Sequence, residues 1–472
     1  MDILHISAEC YPVAKVGGLA DVVGALPKYQ NKVGKKTSVV MPFYDTEFSK
    51  NTNYKVDFTH RVQLGDLIYD FEVLEAEIKD AEFPLYQIKI PGLLDRENVY
   101  GYEDDTERFV AFQKAVLLWV LQFENKPEIL HCHDYHTGLI PFMASQAHEF
   151  DALKYIPSVL TIHNAQYQGQ FSFDKLNYFP PYDLSNSGLL EWNDVINPLA
   201  AAVKSSWAIT TVSPSYLLEL RTAARGLEWL LDNEKNKSIG ILNGIDTEVW
   251  NPESDPMISK NFSTKTVVSG KKKNKTELCK RFDLDPKKPL FVFIGRLVGE
   301  KGAELLPEVF ETILQNPHID VSILVLGSGN TDTETALKEL TPKYKGNYNA
   351  YIGYDEKLSH NIYAGADFLL MPSRVEPCGL NQMYSLRYGT IPIVRSIGGL
   401  KDTIVDISEK DGFGICHENT EVQETVTAIE RGYALYQNSK KFKQIRTQIM
   451  QIDHSWDGAA TNYIDLYETL KK

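Results

Sequence analysis

Cysteine is sparse in this chain and badly spaced for chemistry: Cys10, Cys132, Cys279, Cys378 and Cys416 are five, an odd number, and form no CxxC pair. A disulfide framework and a zinc ribbon are thereby excluded, and a reducing, cytoplasmic compartment is expected. Long apolar runs are missing too. The longest, residues 115–121, cannot span a bilayer, and residues 2–8 read as a strand with no basic, signal-like segment before them. No membrane association is expected. Positive charge is in deficit, with 49 Lys and Arg against 63 Asp and Glu and a formal charge of −14, which argues against nucleic acid as a partner. An anionic ligand would need a locally cationic site. The chain also lacks a GxGxxG fingerprint and a P-loop.

What is present is enough apolar material, 43% of 472 residues, for two or three domains. Short strand-like runs at Ile3–Ser7, Ser38–Met41, Val159–Ile162, Leu290–Ile294, Val321–Leu326 and Phe368–Met371 alternate with amphipathic, helix-length segments. This pattern predicts parallel α/β layers. Two such sets are separated by Trp250–Pro256 and a polar, lysine-rich stretch from Thr264 to Thr276, which places the domain boundary near residue 250. The expected division is 1–250, 251–454 and a terminal amphipathic helix within 455–472. Lys271, Lys272, Lys273 and Lys275 open a helix and are expected to be a solvated face without function.

Several βα turns carry candidate chemistry. Ser373–Gln382 joins the buried strand Asp367–Met371 to a helix beginning at Asn381, with Pro377 and Gly379 as punctuation, so Glu376 sits where backbone amides attract anions. Glu376 either complements the helix dipole as an exposed carboxylate or contacts a ligand. Lys15-Val16-Gly17-Gly18 offers a cation and a glycine turn before a helix, a possible anion cradle, and Gly398-Gly399 echoes it. The strand Leu290–Ile294 runs into Gly295–Gly302, where Arg296 supplies a planar fork and Lys301 a point charge suited to a diphosphate; pairing of these cations with Glu300 is the competing reading. His163 and Asn164 close another strand. His131-Cys132-His133-Asp134-Tyr135-His136 looks like a metal cluster, with His131 and His133 on one strand face, yet no second ligand group has zinc spacing, so no metal is expected. Asp283-Leu284-Asp285 precedes its strand and reads as helix capping. Asn243-Gly244-Ile245-Asp246 is a turn, and Tyr354 either stacks on a base or packs.

Together KVGGLADV from Lys15, HCHDYHTGL from His131, TIHNAQYQG from Thr161, LNGID from Leu242, GRLVGEKG from Gly295 and SRVEPCGLNQ from Ser373 resemble bacterial glycogen synthases and plant starch synthases over nearly the whole chain. The resemblance implies an α/β fold of two Rossmann-like domains facing across a cleft, the GT-B glycosyltransferase arrangement, with the last helix crossing back to the first domain. It implies transfer of glucose from ADP-glucose to the 4-OH at the non-reducing end of an α-1,4-glucan, with retention and without a cofactor or metal. Carried over, Lys15 and Gly18 line the donor site, Arg296 and Lys301 bind its diphosphate, and Glu376 holds the transferred glucose. Amides of Cys378, Gly379 and Leu380 meet sugar or phosphate, His163 lies beside the sugar and Asp134 near the acceptor. Asn164 and Asn243 join the substrate contacts, and Tyr354 stacks on adenine. Tyr135 stands where Trp is usual, which alters the aromatic surface near the acceptor, and Asn381 where Thr is usual, which removes a hydroxyl contact to phosphate and leaves the Asn amide as the alternative donor. Competing readings are a UDP-glucose-using relative, a phosphorylase, for which no pyridoxal lysine motif is seen, and a silent glucan-binding protein, which would be expected to lack one of Lys15, Arg296, Lys301 or Glu376.

Overall fold

The structure, a computed structural model, describes residues 2–78 and 82–471. It contains two compact units, Met1–Gly244 with Trp456–Lys472, and Ile245–Ser455. In the first unit the strands in chain order are β1 (Asp2–Ile6), β2 (Lys36–Pro42), β3 (Tyr54–Leu64), β4 (Leu67–Ala76), β5 (Leu85–Lys89), β6 (Ile129–His133) and β7 (Ser158–Ile162). A two-stranded ribbon, β8 (Glu191–Trp192) and β9 (Val195–Ile196), precedes β10 (Ala208–Thr211) and β11 (Ser238–Gly240). The main sheet has the order β11-β10-β7-β6-β1-β2-β5-β4-β3, parallel from β11 to β5 with β3 and β4 added antiparallel. β6 and β7 are buried along their whole length, so both read as unbroken runs without alternation. β3, at the edge, is mostly exposed.

The second unit holds β12 (Leu290–Ile294), β13 (Ser322–Gly327), β14 (Tyr348–Ile352), β15 (Phe368–Met371), β16 (Ile391–Arg395) and β17 (Ile415–His417), all parallel, in the order β14-β13-β12-β15-β16-β17. This is the 3-2-1-4-5-6 order of a dinucleotide-binding sheet, whose direction of winding reverses between β12 and β15. In the first unit the reversal falls between β1 and β6. In open α/β sheets the loops that leave the carboxyl ends of strands at such a reversal diverge, and ligands bind in the crevice between them.

The unit boundary lies at Gly244/Ile245 and not at 250. The amide of Ile245 donates to the carbonyl of His454 at 2.7 Å, so the two passages of the chain pair there. The terminal helix Trp456–Leu470 packs on the helix Gly18–Lys32, burying Trp456, Tyr463 and Tyr467 against Val22, Ala25, Leu26 and Tyr29. Three large aromatics contribute on the order of 10 kcal/mol before chain entropy is subtracted.

The expected solvated lysine face is half wrong. Lys271 and Lys275, on the helix Val267–Phe282, are 1% and 6% exposed. Lys271 Nζ donates to the carbonyls of Tyr363 and Tyr388 and to Thr390 Oγ1, while Lys275 pairs with Asp367 at 2.6 Å. Spacing of four along a helix puts both on its inner face; Lys272 and Lys273 remain outside. Asp283 occupies the left-handed position after that helix, with φ 54°, and its amide bonds to the carbonyl of Cys279.

Candidate active site

At the reversal point of the second sheet, the β12 loop supplies Arg296 and Lys301, and the β15 loop supplies Ser373 and Glu376. Glu376 is 4% exposed, which removes the exposed helix-end carboxylate from consideration. Lys301 Nζ donates to both its oxygens at 2.6 Å, and Ser373 Oγ donates to Oε2 at 2.9 Å. An ammonium has three donors, so one N–H of Lys301 is left for a ligand. Arg296 pairs with Glu300 at 3.2 Å with nearly half its side chain in solvent. Both cations therefore carry an internal carboxylate partner.

Glycine makes the turn possible. Gly302 has φ 65° and lies so close to the Pro372 carbonyl that a Cβ would approach its oxygen to 2.3 Å. The Gly398-Gly399 pair also permits close approach, since a Cβ on Gly398 would meet the Glu376 carbonyl oxygen at 2.0 Å and one on Gly399 the Cys378 carbonyl oxygen at 2.1 Å. The amide of Gly399 donates to the Glu376 carbonyl, and Arg395 donates to the carbonyls of Ser373 and Arg374. Gly379 adopts φ 74°, and Leu380, at the start of the helix Asn381–Arg387, makes no side-chain cap. Cys378 is buried. The Asn381 side-chain amide donates to the Ile294 carbonyl at 2.8 Å, tying β12 to this helix. Tyr354, beyond the end of β14, is 71% exposed.

In the first unit the glycine turn is not an empty anion cradle. Glu9, just past β1, accepts from the amides of Val16 at 2.6 Å and Gly17 at 3.0 Å and from Tyr100 OH at 2.7 Å. Burial pushes the Glu9 carboxyl up, against these bonds. Lys15 pairs with Asp21 at 2.7 Å, and Gly18 opens the helix. Sequence reasoning passed over Glu9; the signal was an acid between a strand end and a glycine turn.

At the reversal point of the first sheet, between β1 and β6, Asp134 follows β6 with φ 56°, a conformation uncommon for Asp. Its Oδ1 accepts from the amides of His163 at 2.7 Å and Asn164 at 3.4 Å, fixing the end of β7. Burial raises its pKa to about 7. Asn164 Oδ1 accepts from the Gln166 amide, and Asn243 is buried with its Oδ1 unpartnered among the described residues, an acceptor lacking a donor and so suited to a donor from a ligand. Tyr135 lines a cavity of ≈ 270 Å³ with Tyr102, Phe109, Gln113 and Phe171. His163 is 9% exposed, and burial holds its imidazole down at about 3.

His131 and His133 do share a face and meet His5 of β1, a residue overlooked although it is the one polar side chain in Ile3-Leu4-His5-Ile6. Their ligand atoms lie within 4.8 Å of one another. All six ring nitrogens are nonetheless spent: His5 bonds to His133 and Gln30, His131 to Thr161 and Tyr467, His133 to His5 and His163. A metal would have to break this network, which fits a neutral structural cluster better.

A family model described as the starch synthase catalytic domain matches residues 2–233, and one described as glycosyl transferases group 1 matches residues 274–448. A glycogen synthase of Flavobacterium johnsoniae is 53% identical over 470 residues, covering 100% of this chain and 99% of the relative. One from Lactobacillus acidophilus is 37% identical over 486 residues with full coverage of both. Among solved structures, the catalytic domain of starch synthase IV from Arabidopsis thaliana, bound to ADP and acarbose, superposes with a TM-score of 0.91 at 32% identity, covering 100% of this chain and 99% of that one.

Proposed function

This chain belongs to the glycogen and starch synthase family of glycosyltransferases with the GT-B fold, and we propose that it extends an α-1,4-glucan by transferring glucose from ADP-glucose to the 4-OH of the non-reducing end. The observation that carries this reading is the Glu376–Lys301–Ser373 cluster at the reversal point of the second sheet, where α/β folds bind nucleotides. Breaking the bond between sugar and phosphate leaves negative charge on ADP and positive charge on the sugar ring. Arg296 and the remaining N–H of Lys301 meet the first, so the reaction runs without a metal. Glu376 grips the glucose through its hydroxyls, and amides of Cys378, Gly379 and Leu380 bind at the helix start. His163 meets the sugar, Asp134 orders the loop that carries it, Lys15, Gly18, Asn164 and Asn243 complete the substrate contacts, and Tyr354 stacks on adenine. With no nucleophile assigned, departure and attack on one face, with phosphate taking the acceptor proton, gives retention. Five free thiols, four of them buried, support a reducing, cytoplasmic setting.

The test is incorporation of labelled glucose into glycogen from ADP-glucose and from UDP-glucose, with a chelator present, followed by digestion of the product with α-amylase. Faster incorporation from ADP-glucose into digestible product is expected. Preference for UDP-glucose would overturn the donor, a requirement for added metal would overturn the metal-free step, and no transfer from either donor would overturn the activity.

A further inference from the structure

The histidine cluster is the centre of one continuous hydrogen-bonded chain with a definite polarity. It ends on the Leu160 carbonyl, which only accepts, and Thr210 Oγ1 donates to it at 3.4 Å. Thr210 therefore accepts from Thr161 Oγ1, which accepts from His131 Nε2 at 2.6 Å. His131 Nδ1 is left as an acceptor for Tyr467 OH at 2.6 Å, and Tyr467 accepts from Gln30 Nε2 at 3.2 Å. With its Nε2 so used, Gln30 presents Oε1 to His5 Nε2 at 2.8 Å. The same logic passes on: His5 Nδ1 accepts from His133 Nε2 at 3.0 Å, and His133 Nδ1 accepts from His163 Nε2 at 2.9 Å. A neutral imidazole carries one N–H.

Of the eight ring nitrogens in His5, His131, His133 and His163, seven are bonded within the chain; the eighth, His163 Nδ1, has no partner among the described residues. Gln30, Tyr467, His5, His131 and His133 are all fully buried, whereas His163 keeps 9% of its surface open. Burial disfavours the imidazolium in all four histidines, which keeps one proton per ring. Rotating the Gln30 amide by half a turn would reverse every donor and acceptor on the way to His163. The amide is held by Tyr467, delivered from the terminal helix 437 residues away in sequence.

The structure assigns Gln30 and Tyr467 as positioning residues that lock His163 into the tautomer with a proton on Nε2 and a bare Nδ1, so that His163 accepts a hydrogen bond from a sugar hydroxyl. Its purpose rests on the proposed function, in which His163 meets the glucose. The lock itself is a property of the free protein. Sugar hydroxyls both donate and accept, so fixing the protein partner as an acceptor selects one hydroxyl orientation and removes a competing pose.

The experiment is ¹⁵N–¹H correlation through the imidazole rings of the full-length, ¹⁵N-histidine-labelled protein without substrate, with the His163 signals identified by their loss in His163→Gln. The expected result is a proton on Nε2 and none on Nδ1. In Gln30→Met and Tyr467→Phe, the His163 signals should move toward a mixture of tautomers. Their kcat/KM for the sugar donor should fall roughly 3- to 10-fold, the scale of one net hydrogen bond. In a His163→Gln background Gln30→Met should cause no further loss, a result that a merely structural role would not produce. A proton on Nδ1 of His163 in the unaltered protein overturns the inference without any variant having to fold. An unchanged tautomer in a folded Gln30→Met protein, or an undiminished loss in the His163→Gln background, overturns it as well. Absence of glucose transfer by the unaltered protein would instead fail the proposed function and leave the proton position to be read independently.

Discussion

The ion pair of Glu376 and Lys301 separates stability from chemistry, and a double-mutant cycle reads both. At 2.6 Å, with an effective dielectric constant of about 20, the gross attraction is roughly 6 kcal/mol. Most is offset by desolvation, because the Glu376 side chain is only 5% exposed. Lys301→Met leaves that carboxylate with Ser373 as its one side-chain donor among the described residues. Removal of one partner from a fully buried pair costs about 3–5 kcal/mol; Lys301 is 24% exposed and water partly replaces it, so about 3 kcal/mol is expected. Glu376→Gln removes the charge that demanded compensation, and Lys301 can turn to solvent, so that variant loses about 1 kcal/mol. Lys301→Met with Glu376→Gln leaves no unpaired charge and loses about 2 kcal/mol, which makes the coupling about 2 kcal/mol. Urea denaturation read by hydrogen exchange in peptides from β12 and β15 reports the second unit specifically. Turnover follows a different order: all three variants should fall by about 10² or more, since a preorganised polar group is lost in each. Stabilities that add within about 0.5 kcal/mol would refute the pair, and near-normal turnover of Glu376→Gln would reduce this carboxylate to a structural group.

Acid should unfold the first unit early. Burial lowers His5 to about 4 and His163 to about 3, with His131 and His133 also well below 6.5. The fold prefers neutral rings, so stability is complete above about pH 6.5 and is lost as pH falls toward these folded values, by roughly 1.4 kcal/mol per pH unit for each ring. Exchange protection of β1, β6 and β7 measured at pH 7, 6 and 5 should fall steeply, and a flat response would show the rings to be accessible to protons at little cost. Lys271→Met abandons three acceptors at a site 1% exposed and should destabilise by about 3 kcal/mol in urea, whereas Lys272→Ala should stay within about 0.5 kcal/mol. Equal effects would mean that Lys271 is not buried.

Strand positions were legible because parallel strands buried on both faces are short apolar runs ending in Gly, Pro or polar residues. Ile3–Ser7, Val159–Ile162 and Leu290–Ile294 emerge as β1, β7 and β12 with shifts of a residue or less. The lysines of Val267–Phe282 were misjudged because composition counts charges and does not see which face they occupy; Lys271 and Lys275, one turn apart, reach carbonyls and a carboxylate supplied from 288 to 390 in sequence. The boundary near 250 moved for a similar reason, since the pairing of Ile245 with His454 joins passages that local pattern treats as unrelated.

The site shows the same division between what spacing reveals and what it hides. Motif position put Arg296, Lys301 and Glu376 on loops, and the sheet order places those loops at the reversal point between β12 and β15. Spacing did not show that Lys301 holds Glu376, or that Glu9 fills the amides of Val16 and Gly17, because each bond crosses between segments whose proximity the fold creates. Each candidate cation is met by a carboxylate from the protein itself: Lys15 by Asp21, Arg296 by Glu300, Lys301 by Glu376. A ligand phosphate must therefore share each cation with a carboxylate, and the exposed Arg296 is the easiest to redirect. Glu376, held by both Lys301 and Ser373, is the hardest. A carboxylate so fixed is suited to gripping a sugar in one orientation, while the half-exposed guanidinium of Arg296 is suited to meeting a departing phosphate.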